Sequence, residues 1–460
     1  FDDAFDILKT MGNPTLVGPI GSGQVSKLAN QIIVGLAIGA VAEAVTLCEK
    51  AGADPNKMIK ALSGGWADSK VLQTHGKRMI DKDFTPKGKT SGQLKDMNNT
   101  ANDIKFVDPV VVAMSGGVDS SVAAALMNNK NDNVIGITLR LYDEKKVSNS
   151  KTCCSGADIM DARKIANNIT IPHYVLDYEK TFKENVINPF IKEYEEGKTP
   201  IPCISCNDKV KFLDLLKFAK SINAKKLVTG HYIKKIKVDG EWRLYIAEDS
   251  DRDQSYFLFS LNKKDLDFID FPLGDYKKNE IRDIAYNLNF HLYDKKDSQD
   301  ICFVPDGNYK NFVRNKVKPT KGEIVDVNGK FLNQHEGIHN FTVGQRRGLG
   351  ISQEEPLYVK KIEPQSNRVV VAFKDEIKCK SINVDRVNLF TDLTNKNVFV
   401  KVRSTGSLLK ASIDNLLDNS AVINLERPES AIAPGQACVF YDIDELGTRL
   451  LGGGWITSTN

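Results

Sequence analysis

The 460-residue chain has no low-complexity tract, no strong excess of either charge and no long apolar run. Its longest apolar stretch goes from Ile32 to Ala42 and stops at Glu43, short of the roughly 20 residues that a bilayer-spanning helix needs. No charged-then-apolar export signal opens the chain, and the first residue is Phe1. The start therefore reads as processed or truncated, and the protein as cytoplasmic with no membrane partner. A net charge of +4 does not make a basic protein, so any nucleic acid would be held by local Lys and Arg patches. The eight cysteines lack a secretory context and read as reduced thiols, not as a disulfide framework. Cys48, Cys379 and Cys438 read as small buried hydrophobes.

What remains is an ordinary globular composition, 41% hydrophobic and 27% charged, in a chain long enough for two to four domains. Residues 1–105 look helical, and Gln24 to Lys50 is apolar nearly all round, as in a helix buried on most sides. At Pro109 the character changes. Val110-Val111-Val112-Ala113 is a short run of the kind a buried parallel strand needs. Strand-like stretches (Val134 to Leu141, His173 to Leu176, Lys226 to Thr229) then alternate with helix-like ones (Ile159 to Ile169, Val210 to Ile222), which implies a doubly wound parallel sheet. After about Tyr309 the helices fade, and Gly and Asn turns separate short strand candidates. The expected architecture is multidomain: helical 1–105, α/β 108–308, a small connecting domain 309–378 and a β-barrel 379–460.

The chemistry concentrates first at Ser115-Gly116-Gly117-Val118-Asp119-Ser120, between the first strand and an apolar helix. Two glycines let the backbone turn tightly with its N–H groups uncovered, and a helix N-terminus and serine hydroxyls add donors for phosphate oxygens. The Lys of the common GxxxxGK[ST] loop is missing, so pyrophosphate binding, with cleavage between the α- and β-phosphates, fits better than a γ-phosphate grip.

Ala113 to Ser120 resembles the pyrophosphate loop of the adenine-nucleotide α-hydrolase-like, or PP-loop, ATP pyrophosphatases. Five later stretches narrow the resemblance to the tRNA 2-thiouridylases. They are Cys203-Ile204-Ser205-Cys206-Asn207, Thr229-Gly230-His231-Tyr232, Asp253 to Leu258, Lys296 to Phe303 and Val343 to Gly350. The resemblance implies ATP with Mg²⁺ at Ala113, Met114, Ser115, Gly116, Gly117, Val118, Asp119 and Ser120, with Gly230 against the nucleotide and Leu139 packing on adenine. It makes Cys206 the nucleophile and Cys302 the persulfide carrier. Ile201, Pro202 and Cys203 would lie beside the target base, and His231, Arg252, Asp253, Gln254, Arg403, Ser404 and Gln436 would contact tRNA. The partners it implies are the tRNAs for Lys, Glu and Gln, and a sulfur-relay protein or cysteine desulfurase.

The chemistry requires that arrangement. Uracil O2 must become a leaving group, which adenylation by ATP provides, and a sulfur nucleophile must reach C2, which a persulfide and a second thiol provide. Cys203-x-x-Cys206 also has metal-ligand spacing, and with Cys302 it leaves an iron–sulfur cluster as a less favoured alternative. Many members of the family have Asp where this chain has Cys203, which puts an acid or base role there in doubt. For Cys153-Cys154 a structural or solvent-facing role is expected. His231 reads either as a tRNA contact or as a satisfied loop histidine.

Gly18 to Gln31 fails as a dinucleotide fingerprint, because no strand leads into it and Ser26 stands at the third glycine position. It resembles the helical C-terminal domain of the β-hydroxyacid dehydrogenases, with Lys27 and Asn30 at that family's catalytic and substrate positions and Lys95-Asp96 at a cofactor-side motif. The cofactor-binding half does not precede it in this chain, so no hydride chemistry is expected. Rival readings are a different PP-loop adenylating ligase, an oxidoreductase centred on Lys27, and a non-catalytic RNA-binding protein.

Overall fold

Val110, Val111 and Val112 are all at most 1% exposed, because β1 (Val110–Ala113) lies inside a sheet covered on both faces. The computed structural model describes residues 5–10, 14–17, 22–83, 108–130, 133–142, 156–297, 301–304, 307–393, 397–417 and 419–460. It divides into two units, 1–107 and 108–460.

In the second unit β1 pairs in parallel with β2 (Val134–Arg140) on one side and with β4 (Lys226–Thr229) on the other. With β3 (His173–Asp177) and β7 (Ile269–Asp270) they form a parallel sheet of order β3-β2-β1-β4-β7. Chain direction along the sheet reverses at β1, and the crevice beyond the strands' carboxyl ends at such a point is where open α/β sheets hold ligands. The serine–glycine turn emerges there and leads into α3 (Val118–Asn129), whose Val122, Ala123 and Ala124 are fully buried. Helix α4 (Gly156–Asn168) and helix α5 (Lys278–Asn287) flank it.

Residues 322–372 form a four-stranded sheet of order β10-β11-β8-β9, from β8 (Gly322–Val325), β9 (Phe331–His335), β10 (Tyr358–Glu363) and β11 (Arg368–Ala372). Ile324, Val359, Val369 and Val371 are its dry centre. Beyond it β12 (Lys378–Leu389), β13 (Asn397–Lys401), β14 (Leu409–Leu417), β15 (Ser420–Ser430), β16 (Ala437–Asp444) and β17 (Gly447–Thr459) close on themselves through β12–β17 pairing. Closure removes the open edges of a sheet. The multidomain class expected from sequence, with a parallel sheet followed by a terminal barrel, is what the structure has.

One connection was not anticipated. The hairpin of β5 (Lys234–Val238) and β6 (Glu241–Tyr245) leaves the parallel-sheet region and joins the barrel sheet, pairing Tyr245 and Leu244 with Arg449 and Leu450 of β17. Its turn is Asp239-Gly240, both at positive φ (52° and 84°), a dipeptide that signals a tight hairpin when flanked by strand-like residues.

The first unit departs from expectation. Helix α1 (Ser22–Lys50) forms where the sequence placed it, but Ile33, Leu36 and Leu47 are 66–71% exposed. Among the described residues, α2 (Pro55–Leu62), capped by Asp54, and the short helical turns after it pack against α1, burying Val41, Val45, Ile59 and Leu72. These described elements leave much of the apolar surface of the 29-residue helix uncovered. The sequence estimate of its apolar length also falls short: Ala29–Lys50 is long and apolar enough, by length and composition, to cross a membrane. Lys95-Asp96 and Cys153-Cys154 lie outside the described residues.

Candidate active site

Ser115 leaves β1 with its backbone N–H donating to Ser120 Oγ at 3.0 Å, and the two hydroxyls lie 3.2 Å apart. Ser121 Oγ donates to the Gly117 carbonyl at 2.8 Å. Gly116 has φ +76°, and a Cβ there would fall 2.1 Å from the Asp158 carbonyl oxygen at the start of α4. Only glycine lets the turn lie that close. Gly117 is the N-cap of α3 and offers no side-chain cap, so the first N–H groups of the helix are left for an anion. Gly230, after β4, abuts the same helix start: its Cβ would stand 2.9 Å from Ser120 N. The cradle fits a pyrophosphate group, and Asp119 is a carboxylate of the turn that could hold an accompanying cation. In this structure Asp119 accepts from Tyr232 Oη at 2.7 Å and from Lys278 Nζ at 2.8 Å. Lys295 secures the turn from outside, donating to the Gly116 carbonyl at 2.9 Å and to Asp158 and Asp161 at 2.7 and 2.8 Å.

Cys203 and Cys206 sit on a helical rod made of Pro202–Cys206, Asn207–Leu215 and Leu216–Ser221 in unbroken succession, the middle stretch wound wider as a π-helix. Such widened turns recur at functional sites. Pro202 starts the rod at a position that needs no N–H donor. Cys203 points outward, whereas Cys206 is 7% exposed. Asn207 pins the rod by donating to the Phe257 carbonyl at 3.2 Å, and Lys211 donates to Asn207 Oδ1 at 3.1 Å. Burial pushes the Cys206 thiol up from its ordinary value, and the Lys211 ammonium acts in the opposite direction. Half-buried Cys302 borders the same apolar cluster that contains Cys206 and Leu139, and its carbonyl accepts from Tyr142 Oη at 3.3 Å. Leu139 and Cys206 thus belong to one apolar cluster, against which Ala113 and Cys302 pack. Among the described residues no group of three or more His, Cys, Asp or Glu is placed to hold a metal ion.

Residues 108–306 match the family described as tRNA methyl transferase HUP domain, 310–373 its PRC-barrel domain, and 379–456 the aminomethyltransferase beta-barrel domain. The tRNA-specific 2-thiouridylase MnmA of Rickettsia canadensis is 50% identical over 356 residues, 76% of this chain and 95% of that protein. The enzyme of the same name from Rickettsia massiliae is 49% identical over 76% of this chain and 96% of its own length. The chain belongs to the tRNA-specific 2-thiouridylase family. Residues 21–134 also match the family described as NAD-binding of NADP-dependent 3-hydroxyisobutyrate dehydrogenase, in keeping with the dehydrogenase resemblance of the leading helices.

Of the residues that membership in the 2-thiouridylase family makes candidate tRNA contacts, some face outward and others serve the chain itself. Ser404 is exposed and Arg403 half-buried, the latter 3.5 Å from Glu429. Arg252 is 40% exposed at its side chain and pairs with Asp297 at 2.9 Å. Asp253 accepts from the Ala247 and Ser255 N–H groups and from Ser255 Oγ, and burial raises its carboxyl. Gln254 Oε1 accepts from Tyr232 N at 2.9 Å. His231 is 9% exposed, 2.9 Å from Thr229 Oγ1 and packed on Phe212 and Phe271, and burial pushes its pKa well down. That is the geometry of a satisfied interior histidine. Gln436 donates to the Thr199 carbonyl at 2.8 Å while Thr199 N donates to Pro434, so the barrel braces the segment leading to Ile201, Pro202 and Cys203. Arg346 and Arg347 stand exposed on the turn of the middle sheet. Sequence reasoning missed Tyr232, Lys278 and Asp297 as a cluster around the turn. Tyr232 and Asp297 lie inside the motif stretches Thr229 to Tyr232 and Lys296 to Phe303, but no local pattern marks Lys278.

Proposed function

We propose that the chain catalyses ATP-dependent 2-thiolation of the wobble uridine of tRNA. The observation that supports this reading is one apolar cluster that contains Cys206 and Leu139 and against which Cys302 and Ala113, the residue before the glycine turn's Met114 and Ser115, pack. ATP is a substrate whose phosphates the turn would hold through the uncapped N–H groups of α3 and the Ser115 and Ser120 hydroxyls, with Mg²⁺ at Asp119. Attack by uracil O2 on the α-phosphorus forms an O-adenylated base and releases pyrophosphate. The terminal sulfur of a Cys302 persulfide then bonds to C2, and AMP leaves with the O2 oxygen. The Cys206 thiolate attacks the Cys302 sulfur. The S–S bond breaks, its electron pair stays with the base sulfur as thiocarbonyl, and a Cys206–Cys302 disulfide remains for a thiol reductant to open.

The base must leave the anticodon stack to reach this region, and exposed Cys203 with half-buried Ile201 would form the rim it meets, while Pro202 is buried. Exposed Arg346 and Arg347 and half-exposed Arg252 supply phosphate contacts, which position RNA without reading sequence. The tRNAs for Lys, Glu and Gln are the proposed substrates, and a desulfurase or relay protein the sulfur source. The reading is tested by incubating the chain with ATP, a persulfide donor and unmodified tRNA. Nucleoside mass spectrometry should find 2-thiouridine only when ATP is present; thiolation without ATP, or none at all, rejects it.

Burial of Cys206 yields a prediction of its own. With the thiol pushed above its ordinary value, the thiolate of the resting protein forms only at alkaline pH. Alkylation of Cys206 by iodoacetamide should therefore still be rising at pH 9, while exposed Cys203 reacts first. Lys211→Met should slow Cys206 alkylation about tenfold at fixed pH, with Lys211→Arg close to wild type. Equal rates in both variants would remove Lys211 as the thiolate's counter-charge.

A further inference from the structure

The peptide between Gly116 and Gly117 has a residue without a Cβ on each side, so its plane can rotate with little steric resistance. Something other than sterics must set which way its N–H points. Among the described residues no group accepts from the Gly117 N–H, whereas the Gly116 carbonyl of the same peptide accepts from Lys295 Nζ at 2.9 Å. The peptide is trans, and the C=O and N–H of a trans peptide point in opposite directions. Holding the carbonyl on Lys295 therefore turns the Gly117 N–H away from Lys295.

Lys295 is itself firmly held. Its remaining donors go to Asp158 Oδ1 at 2.7 Å and Asp161 Oδ2 at 2.8 Å. An ammonium has three N–H bonds, so none is left over for a phosphate oxygen. Asp161 spends its other oxygen on His291 Nε2 at 2.8 Å. The backbone of Lys295 is fixed as well: its N–H donates to the Leu292 carbonyl at 2.9 Å, and its carbonyl accepts from Arg282 Nη2 at 3.0 Å. Asp158 acts twice, because its own carbonyl is the wall against which Gly116 packs.

We propose that Lys295 is a positioning residue that sets the Gly116–Gly117 peptide so that the Gly117 N–H serves the pyrophosphate group of bound ATP. The inference rests on the nucleotide reading of that turn. Lys295 gives the anion no direct contact; it fixes which edge of one peptide the anion meets. Its charge on the carbonyl also polarises the peptide and makes the N–H across it a stronger donor.

The test uses the full chain, grown with glycine carrying ¹³C at its carbonyl and ¹⁵N at its amide. Only four peptides of the chain join two glycines, so a carbonyl–amide correlation spectrum isolates them, and the peak lost in Gly117→Ala is the Gly116–Gly117 peptide. Binding of α,β-methylene ATP with Mg²⁺ is measured by equilibrium dialysis. In Lys295→Met that peak should move in the nucleotide-free protein, and affinity should fall at least about tenfold, the loss of one charge-assisted hydrogen bond. Lys295→Arg should keep both near wild type. Asp161→Ala should move the peak and weaken binding several-fold, even though it removes a negative charge beside an anion site. If thermal melting shows Lys295→Met unfolded, Asp161→Ala decides. Lost affinity with an unmoved peak would make Lys295 a direct phosphate ligand, and tighter binding by Asp161→Ala would reduce its part to net charge; either overturns the inference, as does unchanged affinity in Lys295→Met. A wild type that binds no nucleotide would instead sink the reading of the turn, and the inference with it.

Discussion

Cys206→Ser should lower 2-thiouridine formation by at least about 10³-fold, since a hydroxyl is a far weaker nucleophile toward sulfur at neutral pH. Release of pyrophosphate in the presence of tRNA should fall less than about tenfold, because adenylation uses the glycine turn and not the thiol. Cys302→Ser should match it in thiolation but differ in one respect. Wild type and Cys206→Ser should acquire a peptide one sulfur heavier at Cys302 after treatment with a persulfide donor, and Cys302→Ser should not. Near-normal thiolation by either variant would end the two-cysteine mechanism. It would favour a PP-loop ligase that works without sulfur relay, or, if Cys203 proved necessary in their place, a cluster-based route.

Gly116→Ala is the second large effect. The added methyl would lie 2.1 Å from the Asp158 carbonyl oxygen and within 2.8 Å of its Cα, all backbone atoms that cannot swing aside. The φ of +76° adds conformational strain. A stability loss of about 1–3 kcal/mol is expected from the backbone alone, together with at least about a tenfold loss of nucleotide affinity as the turn opens away from α4. Gly117→Ala is the control one residue on: its Cβ would meet nothing nearer than Ser115 Oγ at 3.5 Å, so its fold should hold. Thermal melting and equilibrium dialysis separate the two. Equal behaviour of the two variants would mean that close packing against Asp158 is not what fixes the turn.

The parts of this site that were legible in the sequence are those whose physics is local. A strand, two glycines, serines and a helix within a dozen residues announce a phosphate turn because backbone geometry alone shapes it. The later part of the rod, within Val210 to Ile222, was visible for the same reason, since apolar spacing is a near-neighbour feature, whereas its start at Pro202 was not read. What stayed hidden depends on partners far along the chain. Nothing near Lys278 says that its ammonium will find Asp119 and Asp297, and nothing near His231 says that Phe212 and Phe271 will enclose it. Asp253 and Gln254 look like free polar residues, yet their acceptors are spent on Ala247, Ser255 and Tyr232. Helix α1 misled in the other direction. Its all-round apolar character suggested burial, but burial requires surrounding chain, and among the described residues its partners bury Val41 and Val45 while Ile33, Leu36 and Leu47 stay exposed.

The hairpin at Asp239-Gly240 bears on the order in which the protein can be made. Lys234 to Tyr245 leaves the ribosome about two hundred residues before Arg449 and Leu450, with which β6 pairs. Until the last strand arrives, β6 carries an open row of backbone donors and acceptors beside the nascent α/β core, and such edges recruit other chains. A chain stopped before Gly447 should accordingly be insoluble rather than merely inactive, even with the nucleotide turn and both cysteines complete.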